Sequence, residues 1–144
     1  MSAAIPSIDS LVEKFQFIED WEDRYTYLIE LGRKLEPMAD SDMTSEAIVK
    51  GCQATVYLKA SLSKDEPPIM SFIATANAAI VSGLIAILQS IYGGRTPQEI
   101  IDIDALSLVG QMGFEDHLSI TRKNGLHAMI TRIKFIAAEY VSTV

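Results

Sequence analysis

The sequence predicts an α+β fold, a small antiparallel sheet packed against several helices. Three observations carry that prediction. Apolar residues recur every three or four positions from Ile8 to Leu35 and again from Leu126 to Tyr140. Between Val56 and Ala76 the repeat shortens to two, the period of a half-buried strand. Capping and turn signals fall at the edges of these segments. No internal repeat, low-complexity tract or Gly/Ser linker divides the chain, so residues 1–144 are expected to form one domain.

Ser7 is placed to cap a first helix over Ile8 to Ile18, with Leu11, Phe15 and Ile18 on one face. Asp20 starts a second helix that should end before Pro37, with a stripe of Trp21, Tyr25, Leu28, Gly32 and Leu35. The acidic stretch EPMADSDMT, residues 36–44, reads as a surface loop. Val56, Leu58, Ala60 and Leu62 then alternate with polar neighbours, as do Met70, Phe72, Ala74 and Ala76 after the turn SKDEPP. Two strands joined this way make a hairpin, which needs helices over one face to be stable. A third helix is expected from Ala78 to Tyr92, stopped by Gly93-Gly94. Thr96-Pro97-Gln98-Glu99 is a capping box with proline in the first helical position. A short helix should follow from Asp104 to Met112. Ser119 caps the last helix, striped by Leu126, Met129, Ile130, Ile133, Ala137 and Tyr140.

Composition removes several classes of function. A chain of 144 residues with 49% apolar and 22% charged residues has the profile of a globular domain. Its 12 Lys and Arg against 19 Asp and Glu leave a net charge of −7. Such a chain repels phosphate backbones, so nucleic acid is not expected as a partner. The start MSAAIPSIDSLVEKF lacks both the basic-then-apolar order of a secretory signal and the arginines of a transit peptide. The most apolar run, Ala78 to Leu88, is about half the ~20 residues a membrane span needs. No membrane association is expected. The single cysteine, Cys52, excludes an internal disulfide and points to the reducing cytoplasm.

The usual catalytic constellations are missing. There is no phosphate-binding glycine loop, no HExxH and no CxxC. His117 and His127 lack the i, i+4 spacing of a helical metal pair, and no metal is expected. Cys52 remains. On residue type alone the stronger role is a small buried hydrophobe. Its setting, IVKGCQATVYL, instead places it between a loop and a strand, with Gly51 before it to free the backbone and leave room beside the sulfur. A thiol there either attacks an acyl group, which calls for a nearby base, or attacks activated sulfur, which needs only a thiolate and access.

Four blocks carry a resemblance. WEDRYTYLIELGRKL (21–35) fits the pattern W-E-x-[KR]-Y-x-x-[IL]-I-x-L-G-x-x-L, and Gly51-Cys52-Gln53 with TVYL follows G-C-Q-S-x-V-W, with Ala54 in place of Ser and Tyr57 in place of Trp. NAAIVSGLIAIL (77–88) fits D-A-x-I-V-x-G-L-x-A, and HLSITRKNGLHAMI (117–130) fits H-L-[ST]-x-x-R-x-x-G-L. In this order and at these distances the chain resembles the SufE family of cysteine desulfuration proteins along nearly its whole length.

The resemblance implies a SufE/IscU-like fold and a sulfur acceptor and carrier in iron–sulfur cluster assembly. Cys52 matches the persulfide-forming cysteine. Gly51 and Gln53 match its loop neighbours, and Arg122 matches the motif arginine, alternatively a helix-end arginine bonded to an acidic neighbour. Asn77 stands where relatives often have Asp, as a helix cap near the cysteine loop. The implied partners are a SufS-like cysteine desulfurase, whose turnover the acceptor stimulates, and a SufBCD-like assembly complex. The pyridoxal phosphate belongs to the desulfurase, so no cofactor is expected here. Such a protein is a transpersulfidation partner rather than a stand-alone enzyme, as a monomer or homodimer. The competing reading is a non-catalytic acidic interaction domain with a structural Cys52. A Cys–His hydrolase would need a histidine at the sulfur.

Overall fold

The computed structural model describes residues 5–143; residues 1–4, where the leader reading begins, lie outside the described residues. The Ser7 hydroxyl accepts the Ser10 N–H and opens α1 (Ile8–Phe17), which buries Leu11 and Phe15 completely. Ile18 is already extended and forms the C-cap, so the expected stripe loses its last member. Asp20 opens α2 (Trp21–Gly32) by accepting the Glu22 N–H at 2.7 Å. That helix stops five residues short of Pro37. Lys34 and Leu35 bond back to Leu31 and Gly32, tightening the exit into single turns.

Residues 36–44 are more ordered than a bare surface loop. Short 3-10 turns occupy Asp40–Asp42 and Ser45–Ala47, and Met38 is buried at 6% exposure. A polar-looking stretch is anchored by one apolar side chain.

The sheet has two antiparallel strands, β1 (Val56–Leu62) and β2 (Met70–Ala76). The register runs from Val56 opposite Ala76 to Leu62 opposite Met70. Val56, Leu58, Ala60 and Leu62 therefore share a face with Ala76, Ala74, Phe72 and Met70, as the alternation predicts. Ser63 closes the connecting loop: its N–H donates to the Ile69 carbonyl at 2.8 Å, and its hydroxyl accepts the Ile69 N–H at 2.9 Å.

α3 (Ala79–Tyr92) is the central element, with Leu84 to Leu88 all essentially buried. It packs on the sheet and on α2. Backbones touch at the helix crossing. A Cβ on Gly83 would stand 2.3 Å from the Leu28 carbonyl oxygen, and one on Gly32 would stand 2.8 Å from the Gly83 nitrogen. The capping box of Thr96 and Glu99 forms as expected at α4 (Pro97–Asp102). Asp104 caps α5 (Ala105–Gln111). Ser119 accepts the Arg122 N–H at 3.2 Å at the head of α6 (Ile120–Thr143). α6 lays Leu126, Met129, Ile130, Ile133 and Ala137 into the core and leaves Tyr140 half-buried. The α+β architecture stands. Among the described residues no helix is long and apolar enough to cross a membrane.

Candidate functional site

The cysteine loop is a short excursion clasped at its base. Ile48 bridges to Tyr57, and the Val49 N–H donates to the Val56 carbonyl at 2.9 Å. Residues 50–55 thus leave the edge of β1 and return to it within six residues. Asn77 supplies a second clasp. Its N–H donates to the Thr55 carbonyl at 3.2 Å, and its side-chain oxygen accepts the Thr55 N–H at 3.0 Å. The expected capping role is not what it performs: Ala78 holds the cap position of α3, with no side-chain cap bond. Asn77 follows the last residue of β2 beside Thr55, and its amide reaches the loop before it could reach the helix. It ties the loop to the sheet.

Gly51 and Cys52 fix how the loop meets α6. Gly51 has φ of +96°, a conformation costly for any residue with a Cβ. A Cβ there would lie 3.2 Å from the Ala128 Cβ. The room that the glycine leaves is therefore against α6, rather than beside the sulfur as its position suggested. The Cys52 thiol is half-buried, and its S–H points at the Gly125 carbonyl oxygen 3.5 Å away. Burial pushes its pKa above the ordinary thiol value.

Around the sulfur is a cleft of about 150 Å³, walled by the cap residue Ala78 with Val81 and Leu84 of α3, and by Leu126 and Met129 of α6. Gln53 and Arg122 line its mouth. The geometry thus gathers Cys52, Gln53 and Arg122 at one cleft, with Gly51 and Asn77 holding the loop behind them. Arg122 is exposed and, among the described residues, forms no ion pair and is the single charged side chain on the cleft wall. Its alternative role, bonded to an acidic neighbour, is not seen among the described residues.

Neither histidine lines this cleft. His117 stacks on Trp21 with ring centroids 3.6 Å apart and planes 10° off parallel, and its carbonyl accepts the Tyr25 hydroxyl. His127 lines a separate depression with Asp104 and Lys123. A Cys–His catalytic pair is absent among the described residues. So is any group of three or more His, Cys, Asp or Glu placed to hold a metal ion.

The SufE family model, described as an Fe–S metabolism associated domain, matches residues 9–137. The chain belongs to the SufE family. An uncharacterized SufE-like protein of Rhizobium meliloti is 44% identical over 129 residues, 89% of this chain and 92% of the relative. One from Rhizobium etli is 43% identical over 129 residues, 89% of this chain and 87% of the relative. The solution structure of a hypothetical protein from Thermus thermophilus shares the fold, with a TM-score of 0.76 at 18% identity. That match covers 97% of this chain and 99% of the other. Membership places the SufE-family chain in iron–sulfur metabolism.

Gly125 and Ala128 are the site residues that sequence reasoning did not single out. Both fall inside the last matched block, yet their role depends on the loop landing there. One signal was available for Gly125. A glycine inside a helix costs about 1 kcal/mol relative to alanine, and so asks for a packing reason. Here a Cβ would stand 3.6 Å from the Cys52 sulfur, an ordinary contact, so the glycine brings the sulfur close to the helix backbone without a clash demanding it.

Proposed function

We propose that this SufE-family chain is a sulfur acceptor and carrier in which Cys52 takes sulfur from a cysteine desulfurase and passes it to a SufBCD-type assembly complex. The observation that carries the reading is the site around Cys52: a half-buried thiol in a small, mostly apolar cleft with no histidine in reach. Acyl chemistry would require a base there, whereas sulfur exchange does not.

The step balances without an external oxidant. The Cys52 thiolate attacks the outer sulfur of the donor's persulfide; the donor's S–S bond breaks and a Cys52–S–S⁻ persulfide forms. The donor leaves as a thiolate and takes up the proton that Cys52 released. Clearing the donor's persulfide stimulates its turnover. The pyridoxal phosphate stays with the desulfurase, and this chain needs no cofactor of its own. Cytoplasmic residence follows from the same reading, since the free thiol must stay reduced.

Mass spectrometry after incubation with a cysteine desulfurase and cysteine tests the proposal. The expected result is a gain of about 32 Da on Cys52 that a thiol reductant removes. Cys52→Ser should remain folded yet lose both the gain and the stimulation of the desulfurase. Stimulation that survives this change would overturn the reading in favour of a non-catalytic interaction domain.

A further inference from the structure

The charges of this acidic chain are sharply segregated. Residues 47–64, which hold the cysteine loop and β1, and residues 117–138, most of α6, contain none of the 19 acidic side chains. They hold seven of the 12 Lys and Arg, namely Lys50, Lys59, Lys64, Arg122, Lys123, Arg132 and Lys134, and both histidines. The rest of the chain carries all the acids and only five cations. These two segments meet at the Cys52 cleft.

The far end of this basic strip is already covered. Lys59 pairs with Asp42 at 2.8 Å, and Arg132 donates to the Glu46 carbonyl at 2.6 Å. The acidic stretch that precedes Cys52 in sequence thus lies against the second half of α6. At about 1.5 Å per residue, Arg132 is roughly 10 Å along the helix from Gly125. At the Cys52 end no acidic side chain lines the cleft among the described residues. Lys50, Arg122 and Lys123 form no ion pair among the described residues. Among the described residues Asp104 is the one acid that shares a wall with Lys123 and His127.

The placement of these cations also works against helix stability. The first turn of α6 carries no acidic residue, and Arg122 and Lys123 stand near its N-terminus. The helix dipole disfavours positive charge there. Arg122 lines the Cys52 cleft and Lys123 follows it on the helix. Cations that weaken a helix end beside a reactive cleft are explained by what they meet outside the molecule. Ile120, 77% exposed at the same helix end, adds an apolar contact point.

We propose that the face formed by Lys50, Ile120, Arg122 and Lys123 docks an acidic surface of the sulfur-donating protein, which steers the donor's persulfide to Cys52. The inference rests on the sulfur-acceptor reading and adds the electrostatic character of the partner. Within the molecule one cation of the strip already meets an acid of the preceding loop, Lys59 with Asp42. A protein surface fits better than a nucleic acid, because the acids that crowd the rest of the chain repel an extended polyanion.

Isothermal titration of the full chain with a cysteine desulfurase tests this. Raising NaCl from about 50 to about 500 mM should weaken Kd by roughly tenfold or more, because screening removes the attraction. Lys50→Glu/Lys123→Glu should weaken binding at low salt by about tenfold and flatten its salt dependence. Arg33→Glu/Lys34→Glu, an equal double charge reversal outside the basic segments, should leave Kd within about twofold. Salt-independent affinity, an equal loss from both variants, or duplex DNA binding with similar affinity would overturn the proposal. Its failure is separable from that of the acceptor reading: if Cys52 still gains sulfur while affinity ignores salt and charge, the acceptor role stands and acidic docking falls.

Discussion

The Cys52 sulfur and the Gly125 carbonyl oxygen lie 3.5 Å apart, an S–H donor against a backbone acceptor. This contact suits the protonated thiol. Ionisation removes the donor and places negative charge against a carbonyl oxygen, while burial penalises the anion further. The folded protein should therefore react with iodoacetamide more slowly at neutral pH than the denatured chain. Its rate–pH inflection should lie above the ordinary thiol value of 9.0. Rates followed by mass spectrometry across pH 7 to about 11 check this; an inflection below the denatured control would contradict it.

Asn77 holds the loop through the Thr55 N–H, and the acceptor oxygen is what matters. Asn77→Ala should cost about 1 kcal/mol and speed thiol alkylation, as the loop loses its clasp. Asn77→Asp keeps an acceptor in place and should restore both. Thermal melts together with alkylation rates distinguish the clasp from a general packing loss.

At Gly51 two penalties coincide, a φ of +96° and a 3.2 Å approach to Ala128. Gly51→Ala should destabilise by about 1–3 kcal/mol and lift the loop from α6. Adding Ala128→Gly relieves the approach but not the dihedral, so it should recover only part of the loss. Chemical denaturation of the single and double variants measures the two parts.

The α2–α3 crossing is less forgiving. A Cβ at 83 would meet backbone, the Leu28 carbonyl oxygen at 2.3 Å, which no rotamer change relieves. Gly83→Ala should cost about 3 kcal/mol or more and lower Tm by about 10 °C in a chain of this size.

The elements that were legible in the sequence are those whose signals are local. Ser7, Asp20, the Thr96–Glu99 box, Asp104 and Ser119 all cap the helices they precede. The period-two alternation fixed the face of each strand, because side chains in a strand alternate by geometry alone. Long-range placements were not legible. Asn77 looked like a cap because caps are local, and its bond to Thr55 spans 22 residues. Cys52 and Gly125 are 73 residues apart, so nothing near either one announces their contact. The stacking of His117 on Trp21 was hidden for the same reason.

Tyr92 offers a test of stability that is independent of the sulfur site. Its ring is 1% exposed, and its hydroxyl finds no hydrogen-bond partner among the described residues. Burial first, and the charge of Asp104 second, push its pKa from 10.0 up to about 12. A raised pKa means that the unfolded chain loses this proton first. The neutral phenol's contribution is therefore complete below pH 10 and is lost as pH rises toward 12, about 2–3 kcal/mol in all. Tyr92→Phe removes the titrating group along with an unsatisfied polar atom. At pH 7 it should be neutral or stabilising by up to about 1 kcal/mol. Between pH 10 and about 12 the wild type should lose stability more steeply than the variant, and parallel Tm curves across that range would refute the assignment.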